Sequence, residues 1–503
     1  MEKTVVIIGA GIAGLSAGCY ARMNGYKTTI VEMHDKPGGL CTAWTRKGYT
    51  FDGCIHWLIG SRPGNDPMRQ GWEELGAVQG KMMIDHDVFM VIEDKDGKCF
   101  TVFENADLLE KEMMRIAPKD AKAIKGFIED IKKISEMPSG PPERKPGDKT
   151  PGFFESAAGF IGFMPLLLKF IQYGAMDIKR LVKRFKDPFL SFAIAQIFGG
   201  MEEFSSLGLM FTLGNMHKRN AAYPIGGSLE FIRPIEERFK GLGGEIMYNS
   251  PVENIITGDG MATGVLLKNG TVVKADTVVS AADGHATIYT MLEGKYRDKS
   301  IDSIYSTFKR FPSIVQVSMG VVMDLAGEPQ SINFPLAKPI SAGKLTDDRM
   351  SLRVYSFDKT FAPQGCTALT TYLGGDYEYW TNLKAVDKKK YEEEKKRIGS
   401  EVVDAVDKKY PGFKERVQVV DVATPATYVE YTGNWMGSFE GWLLTPGIML
   451  KKIPRTLPGL KNFHMIGQWV APGGGLPTGL MTGKDVIKTL CKEDGKEFRA
   501  EKP

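Results

Sequence analysis

The sequence is poor in the features that mark several common functions. Its six cysteines (Cys19, Cys41, Cys54, Cys99, Cys366 and Cys491) are scattered over 503 residues with no C-x-x-C pair. That spacing indicates neither a zinc site nor a disulfide framework, so no metal is expected. The formal net charge is only +4, too small for this length to imply a nucleic-acid partner. The most apolar stretch, 152–201, holds the uncharged run Ser156–Leu168, and Lys169 interrupts it well short of the ~20 residues a membrane-spanning helix needs. No signal peptide precedes the first core strand, which predicts a reducing, cytoplasmic setting. What remains is ordinary for a globular protein, 43% apolar and 25% charged. The length exceeds what one core usually supports, so two or three structural regions are expected.

The most informative stretch is the first 32 residues. Val5-Val6-Ile7-Ile8 is an apolar, β-branched run suited to a buried strand. Gly9-Ala10-Gly11-Ile12-Ala13-Gly14 follows at once, then a helical pattern through Leu15, Ala17, Ala21 and Met23 that stops at Asn24-Gly25. Thr28–Val31 makes a second strand with Glu32 at its end. Strand, G-x-G-x-x-G, helix, strand and acid stand in the order of a dinucleotide site. Gly9 permits the tight turn, Gly11 lets backbone approach a pyrophosphate, and Gly14 lets helix and strand pack closely. The helix start offers free N–H groups and a positive dipole end to phosphate. Glu32 would accept hydrogen bonds from ribose hydroxyls, and its charge would repel a 2′-phosphate.

Gly38-Gly39-Leu40 is a second place for close backbone approach. Asp52-Gly53-Cys54-Ile55-His56-Trp57 is an unusual order for a surface loop; read by itself, it makes Trp57 a core residue and His56 a satisfied, half-buried histidine. Residues 82–104 read as a hairpin around Lys95-Asp96-Gly97, and 105–135 as helix. Pro138–Pro151 reads as an exposed loop. Ile178, Leu181, Val182 and Phe185 share one helical face, with Lys179, Arg180, Lys183, Arg184 and Lys186 on the other. Such a helix either lies on a membrane surface or packs on the protein with a solvated basic face. Tyr223-Pro224-Ile225-Gly226-Gly227-Ser228 opens a helix, Leu229–Lys240, with Ser228 as its N-cap. The Lys- and Glu-rich 383–409 reads as a charged helix with a solvated face. Near the C-terminus a strand over 462–467 runs into the glycine-rich Gly473-Gly474-Gly475 and a helix, Leu480–Cys491. Here too backbone N–H groups meet a positive dipole end.

A glycine fingerprint, an acid on the second strand, a Gly-Gly pair and Asp-Gly-x-x-x-Trp resemble the FAD-binding start of the phytoene desaturase and amine oxidase superfamily. Tyr-Pro-x-Gly-Gly-Ser at 223–228, Val-Val-Ser-Ala-Ala-Asp at 278–283 and Pro-Gly-Gly-Gly-x-Pro at 472–477 resemble its phytoene desaturase, carotenoid isomerase and retinol saturase branch. The resemblance implies an α/β fold: a discontinuous, glutathione-reductase-like Rossmann domain for FAD with an inserted α+β substrate domain. The FAD segments would be 1–105, 221–290 and 426–503. The insertions would be a helical, membrane-facing 106–220 and a sheet and helix over 291–425. It implies non-covalent FAD held by Gly9, Gly11, Ile12, Ala13, Gly14, Glu32, Gly39 and Leu40 of the first segment. Gly53, Ile55 and His56 would lie near the isoalloxazine ring, Val252 near adenine, and Ala282, Gly467, Gln468, Pro477, Thr478 and Gly479 would complete the site. His56, Tyr223 and Trp469 are the side chains expected to line the reaction centre.

The activity implied is hydride exchange at flavin N5 with carbon–carbon double bonds of an apolar carotenoid, retinoid or other isoprenoid. That gives desaturation, saturation or cis–trans isomerisation, with 152–201 as the entrance from a membrane surface. No motif identifies the redox partner. Two alternatives belong to the same superfamily. A flavin amine oxidase would need an aromatic cage, for which Trp469 and Tyr431 are available. A non-redox escort module would hold lipid tails, and such modules lack the intact fingerprint seen here.

Overall fold

The computed structural model describes residues 2–140, 164, 166–449 and 451–503. Most of the exposed loop expected at Pro138–Pro151 and most of the uncharged run Ser156–Leu168 lie outside them. Two sheets organise the rest. The first has five parallel strands in the order Phe463–Met465, Thr277–Ser280, Thr4–Ile8, Lys27–Val31, Glu245–Met247. The strands of a parallel sheet with both faces covered read as continuous apolar runs, and Val5 to Ile8 are all buried. Three distant chain segments therefore meet in one Rossmann-type sheet, as expected. Its first helix, Ile12–Met23, packs on the C-terminal helix Gly475–Glu493, where a Cβ on Gly483 would sit 2.7 Å from the Ala13 carbonyl oxygen.

The second sheet has seven strands in the order Val417–Ala423, Ile314–Val321, Thr367–Gly374, Leu345–Val354, Ser331–Ala342, Val88–Glu93, Cys99–Phe103. The hairpin predicted at 82–104 forms, and Ile332 pairs with Val91. These two strands belong to this sheet, although the first FAD segment was expected to run to 105. One face carries Val315, Val317, Met319, Leu352 and Val354, packed with Tyr391, Ile398, Val402 and Val406. The predicted charged helix is two helices, Tyr377–Val386 and Lys388–Lys409. Its charges are solvated while its apolar side roofs the sheet. The other face of the sheet looks back toward the Rossmann layer.

Residues 105–135 form two helices, Ala106–Ile116 and Ala121–Ser135, divided at Ala117-Pro118 because proline cannot continue the first. They join Pro188–Gln196 and Ser206–His217 in a helical layer. The basic segment is helical only over Ile178–Val182, and Ile178, Leu181 and Phe185 are buried in the protein core. Its apolar face is thus occupied by packing. Among the described residues no helix is long and apolar enough to cross a membrane.

Candidate active site

Two glycine-rich turns lie side by side at the starts of the two helices that pack together, where a Cβ on Gly479 would sit 3.2 Å from the Ala13 nitrogen. In the first, Gly9 has φ +99° and its N–H donates to the Val31 carbonyl at 2.8 Å. A Cβ on Gly14 would sit 1.9 Å from the Gly9 carbonyl oxygen, so Gly14 sets how closely the helix docks on its strand. Gly11 caps the helix with no side-chain hydrogen bond, which leaves the first-turn N–H groups for a ligand. Gly38 and Gly39, at φ +117° and +60°, lie beside this turn, and the Gly38 N–H donates to the Ala10 carbonyl at 3.0 Å. Glu32 is buried and accepts the N–H groups of Ala10 at 2.6 Å and His34 at 2.8 Å. Burial pushes its carboxyl pKa up, against those hydrogen bonds.

In the second turn, Gly473, Gly474 and Gly475 all have positive φ. The helix begins at Gly475, five residues before the predicted start, with Gly474 as a cap that makes no side-chain hydrogen bond. The Gly467 N–H donates to Thr482 Oγ1 at 2.9 Å, which fixes the turn on its helix. Two uncapped helix starts open on one cavity of about 1100 Å³. Of the residues predicted to hold the cofactor, all but Gly14 line this cavity. The backbone cradle, the free N–H groups and Glu32 fit FAD.

Side chains fix the geometry between segments. Asp52 is fully buried. It accepts the N–H groups of Cys54 at 2.8 Å and Ser228 at 2.9 Å, and the Tyr223 hydroxyl at 3.3 Å. Ser228 Oγ donates to Asp52 and accepts the Ile55 N–H at 2.8 Å. Ser228 was expected to cap its helix. Gly226 does so instead, at φ +92°, because the serine hydroxyl is committed to Asp52. Asp283 accepts the N–H groups of Ala286 at 2.7 Å and Trp435 at 2.8 Å. Asn434 Oδ1 accepts from Gln468 Nε2 at 3.1 Å and Trp469 Nε1 at 3.0 Å.

The three side chains predicted for the reaction centre fare differently. His56 lines the cavity, with Nε2 3.2 Å from the Tyr372 hydroxyl. Burial, helped by the Arg353 cation, drives its pKa well down, so the ring is neutral. Trp469 also lines the cavity, but its ring packs edge-on against Trp442 at 5.0 Å and near Trp435 at 5.8 Å. Tyr223 does not line it. Its hydroxyl faces Asp52 and its ring meets Phe357 edge-on at 5.0 Å, so its role is packing. No ring contact joins Trp469 to Tyr431 among the described residues; Tyr431 lies against His34 at 5.1 Å, so the two do not form a cage.

Sequence reading missed two groups. One is an aromatic wall: Phe89, Trp57, Phe198, Phe204, Phe311 and Phe439 touch in succession, at centroid separations of 5.2–6.2 Å, and all line the cavity. Trp57 is thus a wall residue rather than closed core. The other is Glu440, which lines the cavity against the second glycine turn; a Cβ on Gly474 would lie 2.8 Å from its Oε2. Burial alone pushes its carboxyl up to about 8, so it carries its proton at neutral pH. A lone glutamate in the sequence gives no pattern from which to find it.

The model of the family described as flavin containing amine oxidoreductase matches residues 12–486. Prolycopene isomerase 1 from an Oncidium hybrid cultivar is 25% identical, over 99% of this chain and 85% of its own length. The neurosporene-forming phytoene desaturase of Rhodobacter capsulatus is 25% identical, over 96% and 93%. In solved structures, an oxidoreductase from Methanosarcina mazei shares the fold, with TM-score 0.63 and 15% identity over 96% of this chain and all of that one. With two glycine-rich helix starts in one cavity, the protein is an FAD-dependent oxidoreductase, and the chain belongs to the flavin containing amine oxidoreductase family.

Proposed function

We propose that the protein holds FAD non-covalently and acts on carbon–carbon double bonds of an apolar substrate of the polyene or isoprenoid class. The observation that carries this is the aromatic wall, which gives one cavity both a dinucleotide cradle and a long apolar side. Bound FAD supplies the two-electron chemistry, as acceptor or donor of hydride. The chain's own part is to place and protect. The wall from Phe89 to Phe439 removes apolar surface from water and aligns the substrate. Glu440 holds a proton on its carboxyl beside the second glycine turn, and can give it to carbon or take one back. His56 stays neutral and, with the Tyr372 hydroxyl, presents a polar edge. The relatives named prolycopene isomerase and phytoene desaturase support the substrate class. Phe198 and Met201 line the cavity, and this supports the end of the 152–201 stretch as part of the route by which an apolar substrate enters.

The test is the visible spectrum of the purified protein before and after anaerobic reduction, denaturation and extraction into organic solvent. A bleachable flavin band released on denaturation is expected, with turnover on a polyene. Flavin that stays with the denatured chain overturns non-covalent binding. Turnover of amines but not of polyenes overturns the substrate class.

A further inference from the structure

The strand Leu345–Val354 alternates. In its second half Met350, Leu352 and Val354 are buried with the apolar side chains beneath the covering helices, while Arg349, Ser351 and Arg353 line the cavity, with Thr346, Asp347 and Asp348 ahead of them. Successive strand residues point to opposite faces, so one wall of the cavity is a polar stripe. Most of the stripe is satisfied within the protein. Asp347 accepts the Gly374 N–H at 3.0 Å. Arg349 Nε and Nη2 donate to Asn333 Oδ1 at 2.9 and 2.7 Å, and Asn333 Nδ2 donates to Ser351 Oγ at 2.7 Å.

Arg353 stands apart. It is only 7% exposed, its Nη1 is buried with no hydrogen-bond partner, and among the described residues no carboxylate pairs with its guanidinium. Among the described residues none of its ionisable neighbours forms an ion pair with it. Burial, with the Arg353 cation itself, keeps the His56 and His86 rings neutral. Burial likewise keeps the Tyr223, Tyr355 and Tyr372 phenols protonated. Asp52 is engaged by Cys54, Ser228 and Tyr223. A guanidinium cannot discharge by losing its proton, and a buried charge without a partner is among the costliest groups a fold can carry. The dinucleotide's phosphates are provided for elsewhere, by the two helix starts of the other sheet.

We propose that Arg353 binds a carboxylate carried by the substrate, so that the substrate is an apolar unsaturated acid rather than a neutral hydrocarbon. Its chain lies along the aromatic wall, and its head meets the cation that the protein leaves unpaired. This rests on the reading of the cavity as the site of an apolar substrate.

The experiment uses the FAD-loaded protein and two matched probes, all-trans-retinoic acid and all-trans-retinol, with dissociation constants read from quenching of tryptophan fluorescence. The acid is expected to bind about tenfold more tightly than the alcohol, the effect of a charge-assisted hydrogen bond in a dry site. Arg353→Met removes that preference and leaves alcohol binding unchanged, while Arg353→Lys keeps part of it. An unchanged flavin band shows that each variant is folded. Equal binding of both probes to the wild type, or a preference that survives in Arg353→Met, overturns the carboxylate site and leaves the apolar-substrate reading standing. Failure of both probes to bind overturns the two together. A variant that shifts the flavin reduction potential with the acid preference intact assigns Arg353 to the cofactor and overturns the proposal.

Discussion

At the dinucleotide end of the cavity the groups turned inward are mostly backbone: the turns at Gly9–Gly14 and Gly473–Gly475, and the Gly38-Gly39 pair beside the first. At the other end they are side chains, the aromatic wall and the polar stripe, and Glu440 stands beside the second glycine turn. The two ends differ in what a substitution can do. A backbone cradle depends on φ angles and close approaches that only glycine gives, so it tolerates almost no change. A side-chain wall can exchange one ring or head group for another and alter preference without losing the fold. One end defines a chemistry that many enzymes share; the other selects what is presented to it.

The sharpest break in this comparison is Gly14→Ala. The new methyl would lie 1.9 Å from the Gly9 carbonyl oxygen, and the two nearest atoms it meets are backbone. The protein is expected to purify without flavin, read as loss of the visible band. Gly126→Ala is the control. It sits in the helix Ala121–Ser135 with nothing within 4 Å, so flavin is retained and stability rises by up to ~1 kcal/mol. If both variants keep their flavin, the close approach at Gly14 does not hold the cradle.

Asp52→Ala tests the joint between the two ends. It strands two buried N–H groups, the Ser228 hydroxyl and the Tyr223 hydroxyl at once. Each unsatisfied buried group costs about 1–3 kcal/mol, so a fall of several degrees or more in Tm is expected. The first and second segments should loosen together, seen as faster amide exchange around both Cys54 and Ser228.

Glu440→Gln affects the chemistry rather than the fold. Loss of a positioned acid or base costs about 10²–10⁴ in rate, with flavin retained. The pH dependence follows from the direction of the shift. Burial raises this carboxyl from 4.5 to about 8, so the proton is available below about 8 and lost above it. A rate limb near that pH is expected in the wild type and absent in the variant. The same shift means that the folded state binds a proton the unfolded chain has released. Stability therefore falls as pH rises from the ordinary carboxyl range through about 8, and the variant should not show that loss.

The dinucleotide end was legible in the sequence because backbone chemistry forces residue type. Gly9 and Gly11, Glu32 just past the second strand and the C-terminal glycine run line one cavity, and three distant segments pair in one sheet. Side-chain relations were not legible. Tyr223 has the wording of a site residue, but Asp52 and Phe357 turn it into packing. Ser228 has the look of an N-cap, but its hydroxyl is taken by Asp52. The aromatic wall draws Trp57, Phe198 and Phe439 from three distant parts of the chain, which no local period reveals. The alternation of Leu345–Val354 could have been read as a two-faced strand, but not that its polar face lines a cavity.

The smallest expected effect belongs to the wall itself. Phe198 lies 6.2 Å from Trp57 in a near-parallel stack and 5.4 Å from Phe204 edge-on. Phe198→Ala removes both contacts and opens space where the substrate's chain is proposed to lie. Aromatic pairs contribute about 0.5–1.5 kcal/mol each beyond the area they bury, so KM for an apolar substrate should rise by up to about tenfold. The flavin spectrum should be unchanged, because no part of the backbone cradle moves. kcat should hold as well, if the ring contributes equally to substrate and transition state. A fall in kcat at constant KM would mean that the wall sets the angle of approach to the cofactor rather than only the affinity. Specificity and chemistry would then not divide between the two ends of the cavity.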